Sequence, residues 1–183
     1  ALTISGLKYL SSLLKVIQIS YSQAVYYGLI DINNLSKLNN VSVDNMQVEI
    51  VEANFMGVDL SDEQSDGLAE SLGLSESIKI LNLHDTILST NQWKRLAIGI
   101  ENNQSLEQLI LVRCKINDES IKYVVNALLS SKSQISNVDL SQNNISPFGA
   151  DSLNRLITNN KPKLNHIDLY GNPLGDIGIS KLT

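Results

Sequence analysis

Residues 138–157, VDLSQNNISPFGADSLNRLI, decide the fold because their pattern recurs along the chain. The first half alternates apolar and polar residues, as a strand does, and the second half spaces aliphatic residues by four, as a helix does. The pattern returns every 28 or 29 residues, in units that start near 50, 78, 106, 135 and 164. Because one unit cannot bury its own apolar face, the sequence predicts a stack of strand–turn–helix units around one continuous core.

The apolar positions share one register across the five units. Each strand contributes a central aliphatic residue, and each helix contributes a second set at i, i+4 spacing, so we expect both sets to face the core. The strand set is Ala53, Leu81, Leu109, Val138 and Ile167; the helix set is Leu68, Leu96, Val124, Leu153 and Leu182, followed by Leu72, Ile100, Leu128 and Ile157.

Polar residues recur at two further positions of the unit. At the position where the chain leaves the strand, a small polar side chain is expected to satisfy buried backbone groups. It holds Thr86, Cys114, Asn143 and Asn172, and Val58 in the first unit. Because valine has no polar atom, we expect a looser turn in that unit. Residue types that start helices occupy the other position, namely Ser61, Ser89, Asn117 and Ser146, the last followed by Pro147.

Four segments carry a family resemblance: LNLHDTIL at 81–88, LILVRCKI at 109–116, VDLSQNNI at 138–145 and IDLYGNPL at 167–174. They resemble the leucine-rich repeat family, and the long unit with a full helix is similar to its ribonuclease-inhibitor-like subfamily. The resemblance covers about residues 50–183. It implies an α/β solenoid, a horseshoe with a parallel strand face and an outer layer of helices.

The two ends of the chain match the repeat less well. Residues 1–49 are expected to form a degenerate repeat or an N-terminal helical cap. The fifth unit, 164–183, is predicted to be incomplete, so Ile177, Ile179 and Leu182 would be exposed unless something covers them. We therefore expect the chain to be part of a larger chain or assembly.

Composition excludes several classes of protein. The 183 residues carry a net charge of -5, which argues against a nucleic-acid partner and against an anionic membrane surface. A single cysteine rules out an intramolecular disulfide framework, and no apolar run approaches the ~20 residues that cross a bilayer. Sequons at Asn34, Asn40, Asn103 and Asn144 are expected by chance in a chain rich in asparagine and serine. We expect a cytoplasmic location, with a cytoskeletal or axonemal one as a variant.

The residues that suggest chemistry are better explained by architecture. His84 and His166, the only histidines, lie several strands apart, which does not suit a metal or acid–base pair. Asp139 and Asp168 share one repeat position on an open surface, without the pocket that raises a catalytic pKa. Cys114 faces inward. We predict no catalytic residue, no cofactor and no metal, and we expect Trp93 to pack between helices.

The strand face remains as the candidate binding surface. Its variable positions mix apolar and charged residues, as protein interfaces do, and Met56, Ile110, Val112 and Tyr170 are expected to be exposed. The strand face comprises Asn54, Met56, Asn82, His84, Asp85, Ile110, Val112, Arg113, Asp139, Ser141, Gln142, Asp168 and Tyr170.

The sequence leads to a non-catalytic protein–protein interaction module, a scaffold or regulatory subunit that docks a protein on its strand face or along its helices. The resemblance leaves two alternatives open. One is a GTPase-activating protein resembling the Ran regulator, which would use loop arginines or asparagines on the phosphoryl transition state. The other is a repeat segment of an innate immune sensor or of a cytoskeletal or axonemal scaffold.

Overall fold

The computed structural model describes residues 52–159 and 164–183, in which five strands alternate with five helices. The strands are β1 (Glu52–Asn54), β2 (Ile80–Asn82), β3 (Gln108–Ile110), β4 (Asn137–Asp139) and β5 (His166–Asp168). The helices are α1 (Asp62–Leu74), α2 (Thr90–Asn102), α3 (Asp118–Ser130), α4 (Pro147–Thr158) and α5 (Gly175–Leu182). The predicted N-terminal cap lies outside the described residues.

The five strands form one parallel sheet in sequence order, β1-β2-β3-β4-β5. The pairing follows the register predicted from the repeat. The central residues pair in a single row, Ala53 with Leu81, Leu81 with Leu109, Leu109 with Val138 and Val138 with Ile167. Since each helix packs on the next along the chain, the fold is an α/β solenoid with a strand layer and a helix layer.

The core lies between these two layers. The central strand residues of β2, β3 and β4 are fully buried, and so is Trp93 of α2, as predicted. One predicted core residue is wrong: Ile157 is exposed, and Leu156 is buried in its place. Because a helix has 3.6 residues per turn, the residue three or four positions after Leu153 can face the core, and in α4 it is the third.

The polar residues at the ends of the strands bond to backbone groups, as predicted, and these bonds also link neighbouring repeats. Each side chain donates a hydrogen bond to a carbonyl of the preceding repeat. The bonds run from Thr86 Oγ1 to Phe55 O (2.6 Å), Cys114 Sγ to Leu83 O (2.9 Å), Asn143 Nδ2 to Leu111 O (2.7 Å) and Asn172 Nδ2 to Leu140 O (2.9 Å). The asparagines also accept a backbone N–H, so they satisfy donors and acceptors together.

The looser turn expected at Val58 is absent. Val58 N donates to Phe55 O at 3.0 Å, within the range of the equivalent bonds of Thr86 (2.8 Å) and Asn172 (3.3 Å). This backbone hydrogen bond therefore forms although residue 58 has no polar side chain.

The predicted helix starts are confirmed. Ser61 and Ser89 cap their helices, and each forms a reciprocal capping box with the glutamine three residues later. Asn117 and Ser146 also accept a backbone N–H of the first turn, and Pro147 is the first residue of α4. No described helix has the length and hydropathy to cross a bilayer.

Candidate functional site

The strand face consists of the outward residues of β1–β5 and of the turns that follow them. Met56 and Tyr170, at its two ends, are 54% and 75% exposed, because each follows an outer strand of the described sheet. Ile110 and Val112 were predicted to be exposed, but both are half-buried. The reason is that β3 lies between β2 and β4, whose side chains cover part of them. Ser141 is buried, which also corrects the prediction. Its short side chain lies in the row between the larger Val112 and Tyr170.

A row of polar residues on this face has a structural role. In four of the five repeats, the side-chain oxygen at the end of the strand accepts the backbone N–H two residues later. These bonds join Asn54 to Met56 (3.1 Å), Asn82 to His84 (3.1 Å), Asp139 to Ser141 (2.9 Å) and Asp168 to Tyr170 (2.8 Å). The paired aspartates of β4 and β5 are therefore turn-forming residues, which agrees with the architectural reading of their sequence.

The residues at the next position of each repeat have positive φ angles, in the left-handed region of the Ramachandran plot. The φ angles are +68° at Gly57, +59° at Asp85, +54° at Arg113, +55° at Gln142 and +74° at Gly171. Their N–H groups continue the sheet ladder: Asp85 N donates to Val112 O and Arg113 N to Ser141 O. Non-glycine residues reach this region at a cost of about 1 kcal/mol each, so the repeat imposes the turn on them.

Asp85, Arg113 and His84 form a charged cluster at the middle of the strand face. Arg113 Nε and Nη2 donate to Asp85 Oδ1 and Oδ2, both at 2.7 Å. The Arg113 guanidinium hydrogen bonds hold the pKa of Asp85 below its ordinary value of about 3.8, and the carboxylate in turn raises the pKa of Arg113. Two charged groups on adjacent repeats thus share one fixed geometry.

His84 completes this cluster. Its Nε2 lies 2.9 Å from Arg113 Nη2 and 3.4 Å from Asp85 Oδ2. Because a guanidinium only donates, Nε2 can accept this bond in the neutral tautomer that carries its proton on Nδ1. His166 lies on β5, three strands away from β2, so the two histidines are not in one site.

The remaining candidates are buried structural groups. Burial raises the pKa of the Cys114 thiol to about 12, which keeps it protonated and unreactive at neutral pH. The sequon residue Asn103 is fully buried; its amide donates to Leu72 O and Ser75 O and accepts the N–H groups of Ser105 and Leu106. No group of metal-ligating side chains occurs within residues 52–159 and 164–183.

Sequence reasoning missed three features of this surface. The first is the turn-forming row of asparagines and aspartates, which the recurrence of these types at one position signalled. The second is the left-handed row, which the glycines at 57 and 171 signalled. The third is the pair of Asp85 and Arg113, whose opposite charges occupy the same position in adjacent repeats. The predicted strand-face residues do share one surface, but several of them are committed to the turns.

Comparison with known proteins supports the repeat assignment. The model of one family, described as Leucine Rich repeat, matches residues 102–125 and 160–182. The matches begin two repeats apart, and both run from the end of one unit through a strand into the next helix. They support a leucine-rich repeat family and, with the alternating strands and helices, an α/β leucine-rich repeat solenoid. Such repeats suggest a protein–protein interaction module. No curated protein matches the chain.

Proposed function

We propose that this chain is a non-catalytic protein-binding subunit that docks a protein partner on its strand face. The observation that supports this most is the pre-formed centre of that face. Asp85 and Arg113 make a bidentate ion pair, and their side chains are 44% and 50% exposed. A partner would meet a charged group already fixed in one conformation, so little side-chain entropy would be lost on binding.

Apolar side chains lie on both sides of this charged centre. Met56 projects at one end and Tyr170 at the other, with half-buried Val112 between them. Exposed aromatic and methionine side chains are enriched in protein interfaces, where they supply contact area around a few polar groups. The surface therefore combines apolar anchors with an orienting ion pair.

We further propose that the subunit is a scaffold or regulatory component of a larger cytoplasmic complex, in keeping with the ribonuclease-inhibitor-like appearance of the repeat. The GTPase-activating alternative has less support. All three arginines make side-chain contacts within the chain: Arg95 with Asp62 and Asp66, Arg113 with Asp85, and Arg155 with Asn126. An assay of GTP hydrolysis by small GTPases tests that alternative. A higher rate of hydrolysis in the presence of the chain would support it.

The proposed function is tested with a charge swap. The partner is first identified by affinity purification from the native source and mass spectrometry, and its affinity is then measured with pure proteins. Asp85→Arg with Arg113→Asp keeps an ion pair but reverses its direction, and Tyr170→Ala removes an apolar anchor. We expect each change to weaken binding about tenfold, with unchanged thermal unfolding.

The matched control is Phe148→Ala, which removes an equally exposed aromatic ring from the start of α4, on the helix layer. It should leave the affinity unchanged. Equal affinity of the wild type, the charge swap and the Tyr170 variant would show that the partner does not use the strand face.

A further inference from the structure

The helix layer contains a second candidate surface, a groove between α1 and α2. The groove has a volume of about 550 Å³ and extends from Asp66 to Leu74 along α1, a distance of about 12 Å at 1.5 Å per residue. Its walls include Leu74 and Ile98, which are 58% and 55% exposed. It is separate from the strand face, so variants in one surface leave the residues of the other unchanged.

Gly73 and Gly99 form the floor of the groove, and they differ in whether packing requires glycine there. At Gly99 a Cβ would lie 2.3 Å from Ala69 O, so the close approach of α1 and α2 requires glycine. At Gly73 a Cβ would meet its nearest neighbours at 3.4–3.7 Å, which is ordinary contact, and the backbone φ is not positive. Packing therefore does not require glycine at position 73, yet the missing side chain keeps the groove open.

The walls depart from the pattern of the other repeats. The positions equivalent to Leu74 hold Asn102, Ser130 and Asn159, and those equivalent to Ile98 hold Glu70, Asn126 and Arg155. Both positions are polar in every other unit compared, as expected for the solvent side of a helix. Among the units compared, apolar residues occupy these two positions only at this groove, which Gly73 also lines. These two departures from the repeat thus lie beside the open floor at Gly73.

The charge at one end of the groove favours a basic partner. Neither α1 nor α2 has a basic residue in its last turn, and the last turn of α2 contains the exposed Glu101. The carboxyl ends of two parallel helices, each with partial negative charge, therefore lie side by side next to Leu74. A lysine or arginine of a partner would be stabilised there.

The shape of the groove favours a helical partner. Its length matches about two turns of a helix, and the ridge of one helix fits the groove between two others. An extended segment would find no sheet edge to pair with here, whereas a helix satisfies its own backbone groups. We propose that this groove docks the apolar face of a basic amphipathic helix from a partner protein, with a large side chain over Gly73 and a lysine or arginine near Glu101.

The proposal is tested with two synthetic stapled helices of about four turns. Both present leucines at i, i+4 and i+7; one has lysines beside them and the other has glutamates. The isotope-labelled chain is titrated with each peptide by NMR, and affinities are measured by fluorescence anisotropy. We expect the lysine peptide to shift amide resonances of α1 and α2 around the groove and to bind about tenfold more tightly than the glutamate peptide.

Variants locate the binding. Leu74→Asn and Ile98→Asn introduce a polar residue type that other repeats have at these positions. Each should weaken the binding of the lysine peptide about tenfold. Gly73→Leu should do the same by filling the groove. Ile87→Asn is the control, because Ile87 is equally exposed, at 51%, but lies outside the groove.

Three outcomes would overturn the proposal. One is the lack of shifts around the groove at peptide concentrations up to about 1 mM. Another is equal binding of the two peptides, and the third is equal loss of affinity in the Ile98→Asn and Ile87→Asn variants. The wild-type titration does not depend on any variant, so a folding defect in one of them leaves the proposal testable.

Discussion

Replacing Asn143 with alanine is expected to destabilise the solenoid severely. The Asn143 Nδ2 group donates to Leu111 O at 2.7 Å and Leu140 O at 2.8 Å, and its Oδ1 accepts Ile116 N–H at 3.0 Å. Each lost donated bond costs about 1 kcal/mol, and a buried N–H left without an acceptor costs about 2 kcal/mol more. The expected loss in the free energy of unfolding is about 4 kcal/mol, a large share of the stability of an ordinary domain.

The neighbouring residue provides the control. Asn144 is exposed, and it pairs with the preceding repeat through its backbone, with its N–H donating to Ile116 O. Asn144→Ala should therefore change the free energy of unfolding by less than about 0.5 kcal/mol. Asn143→Cys imitates the third repeat and should fall between the two, since a thiol donates one bond but leaves Ile116 N–H unpaired. Urea unfolding followed by circular dichroism measures all three variants, and a similar midpoint for Asn143→Ala and Asn144→Ala would refute the reasoning.

Three further predictions follow from the packing and the charges. In Arg113→Gln, the pKa of Asp85 should rise toward its ordinary value, as measured by carboxyl NMR titration. In the wild type the folded-state pKa of Asp85 is lowered, so the pair stabilises the fold above about pH 4. This stabilisation is lost as the pH falls through the folded-state pKa. An unchanged titration would mean that the ion pair does not hold the carboxylate. Cys114 should resist thiol reagents at pH 8 until the chain unfolds, and rapid labelling of the folded chain would contradict its burial and its pKa of about 12. Gly99→Ala should destabilise by about 1–3 kcal/mol through overpacking, whereas Gly73→Ala should be neutral or stabilising; equal effects in thermal unfolding would contradict the packing argument.

The repeat was predictable because its signals are local. The alternation of a strand, the i, i+4 spacing of a helix and the serine caps depend on a few neighbouring residues, and they placed the central strand row and the helix starts correctly. The exposure of individual residues was less predictable. Ile110, Val112 and Ser141 were expected to face solvent, but their burial depends on the side chains of the adjacent repeats. Ile157 was expected inside, although either of two adjacent positions satisfies the helical period.

The sequence by itself determined the repeat register and the alternating strand and helix layers, since a period of 28 or 29 residues leaves one way to stack the apolar positions. The tertiary structure decided which polar residues are free for function. It assigned Asp139 and Asp168 to the turns and joined Asp85 to Arg113 across two repeats. It also brought Leu74 and Ile98 to one groove. These features depend on distances between residues about one repeat apart, and such distances are fixed only when neighbouring units pack.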